Sequence, residues 1–265
     1  MIFTVLGSSG FIGGALTSRL RQHGHIVRTP ARNEFPSTDD NLGHVIYCIG
    51  LTADFRRLPF ETVNAHVSVL ASYLKRCEFE SFLYLSSTRV YVGSALARED
   101  QSLSVNPGDA SDIYNLSKLM GEALVFAQHN RTSRIARLSN VVGIDLNSEN
   151  FLIDVCRQAL SGKISIRTSL ASMKDYIHVN DVVNYLVKIS TDGQSGTYNV
   201  AFGKNITHGQ IVERLQILTR CSVEVASSAP TVQYPVIDVE KLRNDFGPCE
   251  HNILDSIPEI LSALS

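Results

Sequence analysis

No apolar run in this 265-residue sequence reaches the roughly 20 residues that cross a bilayer as a helix. No basic block occurs and the formal net charge is −2, so there is no electrostatic case for a nucleic-acid partner. The five cysteines, Cys48, Cys77, Cys156, Cys221 and Cys249, are scattered, odd in number and free of any Cys-x-x-Cys spacing. They read as reduced, buried thiols of a cytoplasmic protein rather than a disulfide framework. The eight histidines show no metal-ligand spacing, so no metal site is expected. Met1 leads straight into a strand-like stretch, so no signal peptide is expected. The Gly-x-Ser-x-Gly elbow of serine hydrolases is missing, as are internal repeats and low-complexity tracts. What remains is 44% hydrophobic and only 19% charged, which excludes global disorder and allows one good core and a small second lobe.

Three local patterns carry chemistry. The first is Ile2 to Leu6, a β-prone run, followed at once by Gly7-Ser8-Ser9-Gly10-Phe11-Ile12-Gly13 and a helix-like stretch to Arg21. A strand, a glycine turn and a helix start form a dinucleotide site: Gly7 permits the tight turn, Gly10 the approach of a pyrophosphate, Gly13 close helix–strand packing. The pyrophosphate would rest on free N–H groups of the helix start. The second is Tyr114-Asn115-Leu116-Ser117-Lys118, a phenol and an ammonium four residues apart on one helix face. A cation beside the phenol is expected to pull down a pKa that starts near ~10, giving a proton donor and acceptor usable near neutrality. The third is Phe82-Leu83-Tyr84-Leu85-Ser86-Ser87, a buried-looking strand ending in hydroxyls. In an open parallel sheet such strand ends face the ligand.

Strands and helices alternate through the first half. Strands are expected at 2–6, 25–29, 44–49, 81–86 and 134–138, and helices at 11–22, 60–77 and 112–129, which implies a parallel sheet with helices on both faces. Beyond residue 140 the pattern is mixed, with helices expected at 149–161, 179–190, 207–219 and 252–263 and strands at 164–167, 176–178, 197–200 and 222–226. Only about a dozen residues, Arg32 to Gly43, separate the second strand from the next. A crossover needs ~10–12 residues by itself, so a strand and helix are expected to be reduced or missing there.

Together these motifs resemble the extended short-chain dehydrogenase/reductases, the NAD-dependent epimerases and dehydratases that act on nucleotide sugars. Asn64, Arg137 to Gly143, Lys174 to Val182 and Gly196 to Val200 extend the resemblance almost end to end. It implies an α/β, Rossmann-like doubly wound parallel sheet with a small mixed C-terminal substrate lobe, residues 1–140 and 175–218 forming the dinucleotide-binding domain and 141–174 and 219–265 the lobe. It implies Tyr114 as general acid/base, Lys118 as the residue that lowers its pKa and holds the nicotinamide ribose, and Ser87 as the hydroxyl on the reacting oxygen. The implied cofactor surface is Gly7, Ser9, Gly10, Phe11, Ile12, Gly13, Arg32, Gly50, Leu51, Asn64, Leu85, Tyr114, Lys118 and Val141. The implied substrate contacts are Thr88, Arg89, Asn140 and Lys174. His178 reads as a buried structural residue.

Departures from the family pattern narrow the expectations. Ala31 stands where an acidic residue would bind the ribose of NAD, with Arg32 next and Arg28 nearby. This favours NADP(H), with NAD(H) the alternative. Thr88 and Arg89 replace the Asp-Glu pair of the dehydratases, and Arg89 replaces the Cys of the epimerase-reductases. Redox at one carbon is left: NADPH-dependent reduction of a keto group, at C4 of a nucleotide-linked deoxysugar, or a nucleotide-sugar 4-epimerase with tightly bound NAD. A non-enzymatic dinucleotide-binding regulator is the remote alternative. The family's four-helix dimer would use 60–77 and 112–129, where Val63, Val67, Leu70, Ala71 and Leu74 recur at helical spacing.

Overall fold

Strand β1 (Ile2–Leu6) turns at Gly7, whose φ is +87°, into helix α1 (Phe11–Gln22), as the glycine pattern requires. A side chain at Gly7 would meet the backbone of Cys48 and Ile49 at about 3 Å, and one at Gly13 would lie 2.2 Å from the Gly7 carbonyl oxygen. The turn is thus wedged between the helix and the neighbouring strand. The structure, a computed structural model, describes residues 1–32, 34, 41–52, 54–128, 132–145, 148 and 150–265.

Strands β2 (Ile26–Arg28), β3 (His44–Tyr47), β4 (Ser81–Ser87) and β5 (Thr132–Leu138) follow, and β9 (Gly196–Val200) closes a six-stranded sheet in the order β2-β1-β3-β4-β5-β9. Every neighbouring pair is parallel. Among the described residues no strand or helix lies between β2 and β3, in keeping with the short 32–43 segment; part of that segment falls outside the described residues. The direction of strand succession reverses between β1 and β3, which places a ligand crevice over their carboxyl ends.

Side-chain alternation builds a core on each face of the sheet. Phe3, Val5, Leu83, Leu85 and Tyr198 pack on α1 and on α6 (Val179–Asp192). Val45, Tyr47, Phe82 and Tyr84 pack on the opposite helices, α3 (Val69–Arg76) and α4 (Ile113–Phe126). The helix expected over 60–77 is in three parts: α2 (Pro59–Val63), a π turn (Asn64–Ser68) and α3. Thr62, His66 and Leu70 form its buried face. Leu70 and Leu74 are core residues rather than an open apolar row; Phe60, Met120 and Phe126 are the exposed apolar side chains on these helices.

A second core lies beyond the sheet. It gathers α5 (Phe151–Leu160), β7 (Lys163–Ile166), α7 (His208–Thr219) and α9 (Ile253–Leu264), with Tyr176 and Ile206. Strand β8 (Met173–His178) lies between β6 (Asn140–Val142) and β10 (Asn205–Thr207), and β11 (Ser222–Val225) pairs with β7. Helix α7 belongs to this second core, whereas Leu242 of α8 (Glu240–Phe246) returns to the first. The packing therefore does not follow the division at 218 read from the sequence. The elements missed there, β6, β10 and α8, are all short. Asp181 on α6 accepts hydrogen bonds from the backbone N–H of Glu250 and His251 and lies 2.7 Å from His251 Nδ1. These three residues cluster closely enough to suggest a metal, yet both Asp181 oxygens are committed to docking the C-terminal segment. No described helix is long and apolar enough to cross a membrane.

Helix α4 is locked to the sheet by buried charge. Glu122 accepts Arg137 Nε at 3.0 Å and Nη2 at 2.7 Å, and Ser86 Oγ at 2.6 Å. Arg137 Nη1 donates to the Tyr91 hydroxyl at 2.8 Å, which donates to Asn199 Oδ1 on β9 at 2.8 Å. Gly121 permits the close fit, since a Cβ there would lie 2.5 Å from the Tyr84 hydroxyl. Removing one partner of a buried ion pair strands the other. Glu122→Gln should therefore lower unfolding free energy by about 3 kcal/mol in urea titrations, and pairing it with Arg137→Met should recover much of that loss. A loss below about 1 kcal/mol would contradict this role for the pair.

Candidate functional site

Ser87 ends β4, and Tyr114 and Lys118 lie on the first turns of α4, which the Glu122–Arg137 pair presses against β4 and β5. The result brings the sequence-predicted groups together. The Tyr114 phenol is buried, and the Ser87 and Thr52 hydroxyls are among the groups that hold its pKa down against that burial. Ser87 Oγ also accepts the backbone N–H of Arg89 at 3.2 Å, which fixes its rotamer. Lys118 Nζ donates to the Leu85 carbonyl oxygen at 2.9 Å and lies 5.9 Å from the centre of the Tyr114 ring.

The electrostatics differ from the simple expectation in one respect. Burial raises the Tyr114 pKa above its ordinary value, and the groups that oppose the rise are Ser87, Thr52 and the charge of Arg89. Lys118 is not among them; its ammonium is turned to the Leu85 carbonyl below the ring, in a site dry enough to lower its own pKa to about 7, with Glu122 opposing. The lysine is thus poised to gain or lose a proton near neutrality.

His66 was not legible in the sequence. Its ring is fully buried in the π turn, edge-on to Tyr114 with centroids 5.3 Å apart. Nε2 accepts the Leu51 N–H at 3.2 Å, which leaves Nδ1 as the donor to Ser117 Oγ at 2.8 Å; Ser117 in turn donates to the Tyr114 carbonyl. Burial, with the Lys118 charge, lowers its pKa to about 2, so it stays neutral. His66 clamps the 50–52 segment to the Tyr–Lys helix. Gly50 passes so close that a Cβ would lie 3.3 Å from His66 Nε2 and 3.5 Å from Lys118 Nζ.

Asn64, expected on the cofactor surface, is exposed. It is two residues from both Thr62 and His66, about 200° around the helix from the buried face. The Asn140 side chain donates to the Asp175 carbonyl at 2.7 Å and the Thr88 hydroxyl to the Leu138 carbonyl at 3.3 Å, so both are partly committed to the fold. Val141 packs against the first core. Lys174 is half-buried, with its ammonium 5.7 Å from the Tyr234 ring centre. Arg89 lies with its guanidinium 5.3 Å from the Phe55 ring centre, and Phe55 packs on Tyr114. His178 is structural, as expected: Nδ1 caps α6 by accepting the Asn180 N–H.

The N-terminal turn fits a dinucleotide. Gly10 caps α1 without a side-chain hydrogen bond, so N–H groups at the helix start remain available to an anion. A Cβ at Gly10 would touch only the Gly7 carbonyl oxygen, at 3.5 Å, which leaves the approach to that backbone clear. Ser9 is exposed, and Phe11 and Ile12 pack against the first core beside the turn. At the exit of β2, Arg32 is exposed, but Glu34 accepts the Ala31 N–H at 2.9 Å. A carboxylate, supplied from three residues further on, therefore stands near the end of β2 together with the exposed Arg32.

The folded-state pKa of Lys118, about 7 against an ordinary 10.5, means that the folded chain binds fewer protons than the unfolded chain between these values. The resulting penalty is fully present below the lower value and fades as pH rises towards the upper. Lys118→Met should gain stability relative to the parent chain by on the order of 2 kcal/mol more at about pH 7 than at about pH 10. Urea unfolding at the two pH values checks this, and an equal difference at both would contradict it.

Comparison with known proteins agrees with this geometry. A model of the NAD dependent epimerase/dehydratase family matches residues 44–201. The chain is 25% identical over 262 residues to UDP-glucuronic acid decarboxylase 6 of Arabidopsis thaliana, covering 85% of this chain and 76% of that protein. Among solved structures, MoeE5 in complex with UDP-glucuronic acid and NAD superposes with a TM-score of 0.84 at 20% identity, over 99% of this chain and 98% of that one. RMD from Pseudomonas aeruginosa complexed with NADPH gives 0.81 at 21% identity, over 100% and 99%. The family match spans more than half of the sequence and includes Ser87, Tyr114 and Lys118: this chain belongs to the NAD dependent epimerase/dehydratase family.

Proposed function

We propose that this protein uses a nicotinamide dinucleotide to interconvert a carbinol and a ketone at one carbon, C4, of a nucleotide-linked sugar, with reduction of the keto sugar as the net reaction. The observation that carries this reading is the buried Tyr114 phenol grouped with Ser87 and Thr52 beside Lys118, at the strand ends that face the glycine turn. The bound dinucleotide supplies or accepts the hydride. Tyr114 donates its phenolic proton to the alkoxide oxygen that develops as the carbonyl is reduced, and Ser87 Oγ hydrogen-bonds that same oxygen. Lys118, its Nζ 5.9 Å from the Tyr114 ring centre, tunes the phenol by placing positive charge beside the phenolate that forms. Among the described residues no carboxylate or thiol hydrogen-bonds Tyr114 or Ser87, so the second acid/base needed for water loss is not supplied there.

The Glu34 carboxylate favours a second reading, a 4-epimerase that retains NAD, because an acid at the exit of β2 repels a 2′-phosphate. The free thiols of Cys48, Cys156, Cys221 and Cys249 are in keeping with a reducing, cytoplasmic location. Phe60, 85% exposed, and Met120, 54% exposed, lie on the helices through which a homodimer would form.

Denaturing freshly purified protein and weighing the released dinucleotide separates the two readings. Little retained cofactor, with NADPH bound more tightly than NADH, is expected of the reductase; stoichiometric NAD overturns it in favour of the epimerase. In either case Tyr114→Phe should lower kcat by about 10³-fold with the substrate KM little changed. Near-normal turnover would remove Tyr114 from the chemistry.

A further inference from the structure

The chain neutralises most of the cations it buries. Arg137 is held bidentate by Glu122, Arg134 donates to the carbonyls of Gly193 and Ser190 at 2.7 and 3.0 Å, and Lys118 donates to Leu85. Arg89 is treated differently. Its Nε is buried with no hydrogen-bond partner, and among the described residues no carboxylate lies within ion-pair distance of it. Its guanidinium is oriented by the Phe55 ring, which Arg56 covers from 4.4 Å. Lys174, from β8 in the second lobe, also has no carboxylate partner among the described residues, and the charge of Arg89 lowers its pKa further below that set by burial. Two cations without a carboxylate partner among the described residues thus feel one another's charge in a chain whose net charge is −2. Such a pair is relieved by an anion, and only a ligand can bring one.

Position assigns the anion. Arg89 is two residues beyond Ser87, and its charge is felt by the Tyr114 phenol. It therefore faces the reacting end of the substrate, whereas Lys174 approaches from the lobe. A guanidinium presents a planar fork matched to a carboxylate, and the Phe55 ring, 5.3 Å from the Arg89 guanidinium, holds it beside Tyr114. We propose that the sugar carries a carboxylate, as in a nucleotide-linked uronic acid, and that Arg89 is the residue that selects for it. This rests on the nucleotide-sugar reading above.

The test is calorimetric titration of the full chain, loaded with NAD or NADPH, with UDP, UDP-glucose and UDP-glucuronate, and in parallel with GDP, GDP-mannose and GDP-mannuronate. The uronate of at least one pair should bind about tenfold or more tightly than its neutral counterpart. Arg89→Gln should erase that difference while leaving the affinity for the nucleoside diphosphate alone unchanged. Arg89→Lys, which keeps the charge but loses the fork, should retain part of it and guards against a folding defect. Equal binding of acid and neutral sugars by the parent chain would overturn the proposal. So would an Arg89→Gln variant that loses the bare diphosphate equally, since the guanidinium would then grip phosphate. Failure of every nucleotide to bind a chain that still binds dinucleotide would overturn the nucleotide-sugar reading itself, and this inference with it.

Discussion

The bidentate pair between Glu122 and Arg137 is the constraint on which the site depends. It joins the helix that carries Tyr114 and Lys118 to the central strands β4 and β5, and through Tyr91 and Asn199 it reaches the edge strand β9. Glu122 is one helical turn beyond Lys118, so the grip is applied close to the reacting groups. A buried pair of this kind adds little net stability over apolar packing, but it penalises every arrangement in which the partners separate. Here it has the further effect of setting the depth at which the phenol meets Ser87.

That depth has an electrostatic consequence. The same burial that orders the site raises the Tyr114 pKa, lowers that of Lys118 to about 7 and holds His66 neutral. A neutral His66 can accept the Leu51 N–H and donate to Ser117 at once, which a protonated ring could not do. The 50–52 segment, the π turn and the helix that carries Tyr114 and Lys118 are therefore fixed by one uncharged ring. Arg89 and Lys174 are left without a carboxylate partner among the described residues.

Much of this was legible in the sequence because it is local. The glycine turn needs Gly7 and Gly13 at fixed spacing, the Tyr–Lys pair needs one helical turn, and Ser87 needs only the end of a strand. The residues that were missed act across the fold: His66 and Ser117 are 51 residues apart, and Glu122 and Arg137 meet only when α4 lies on β5. Glu34 shows the same limit, since a carboxylate displaced along the chain folded back to where none was expected. Asn64 shows a different limit. A motif position says which residue type is present, and helix phase decides which way it faces. Leu70 and Leu74 looked like an open apolar row because helical spacing cannot distinguish a core from an interface.

The account stands on one arrangement: a sugar oxygen held by Tyr114 and Ser87, with its carbon facing a nicotinamide bound over the Gly7–Gly13 turn. A crystal structure of the chain with both dinucleotide and nucleotide sugar tests it most directly. The account predicts Tyr114 Oη and Ser87 Oγ within hydrogen-bond reach of the same sugar oxygen, and the pyrophosphate on the N-terminus of α1. A sugar bound out of reach of Tyr114, or a dinucleotide seated away from the glycine turn, would contradict it.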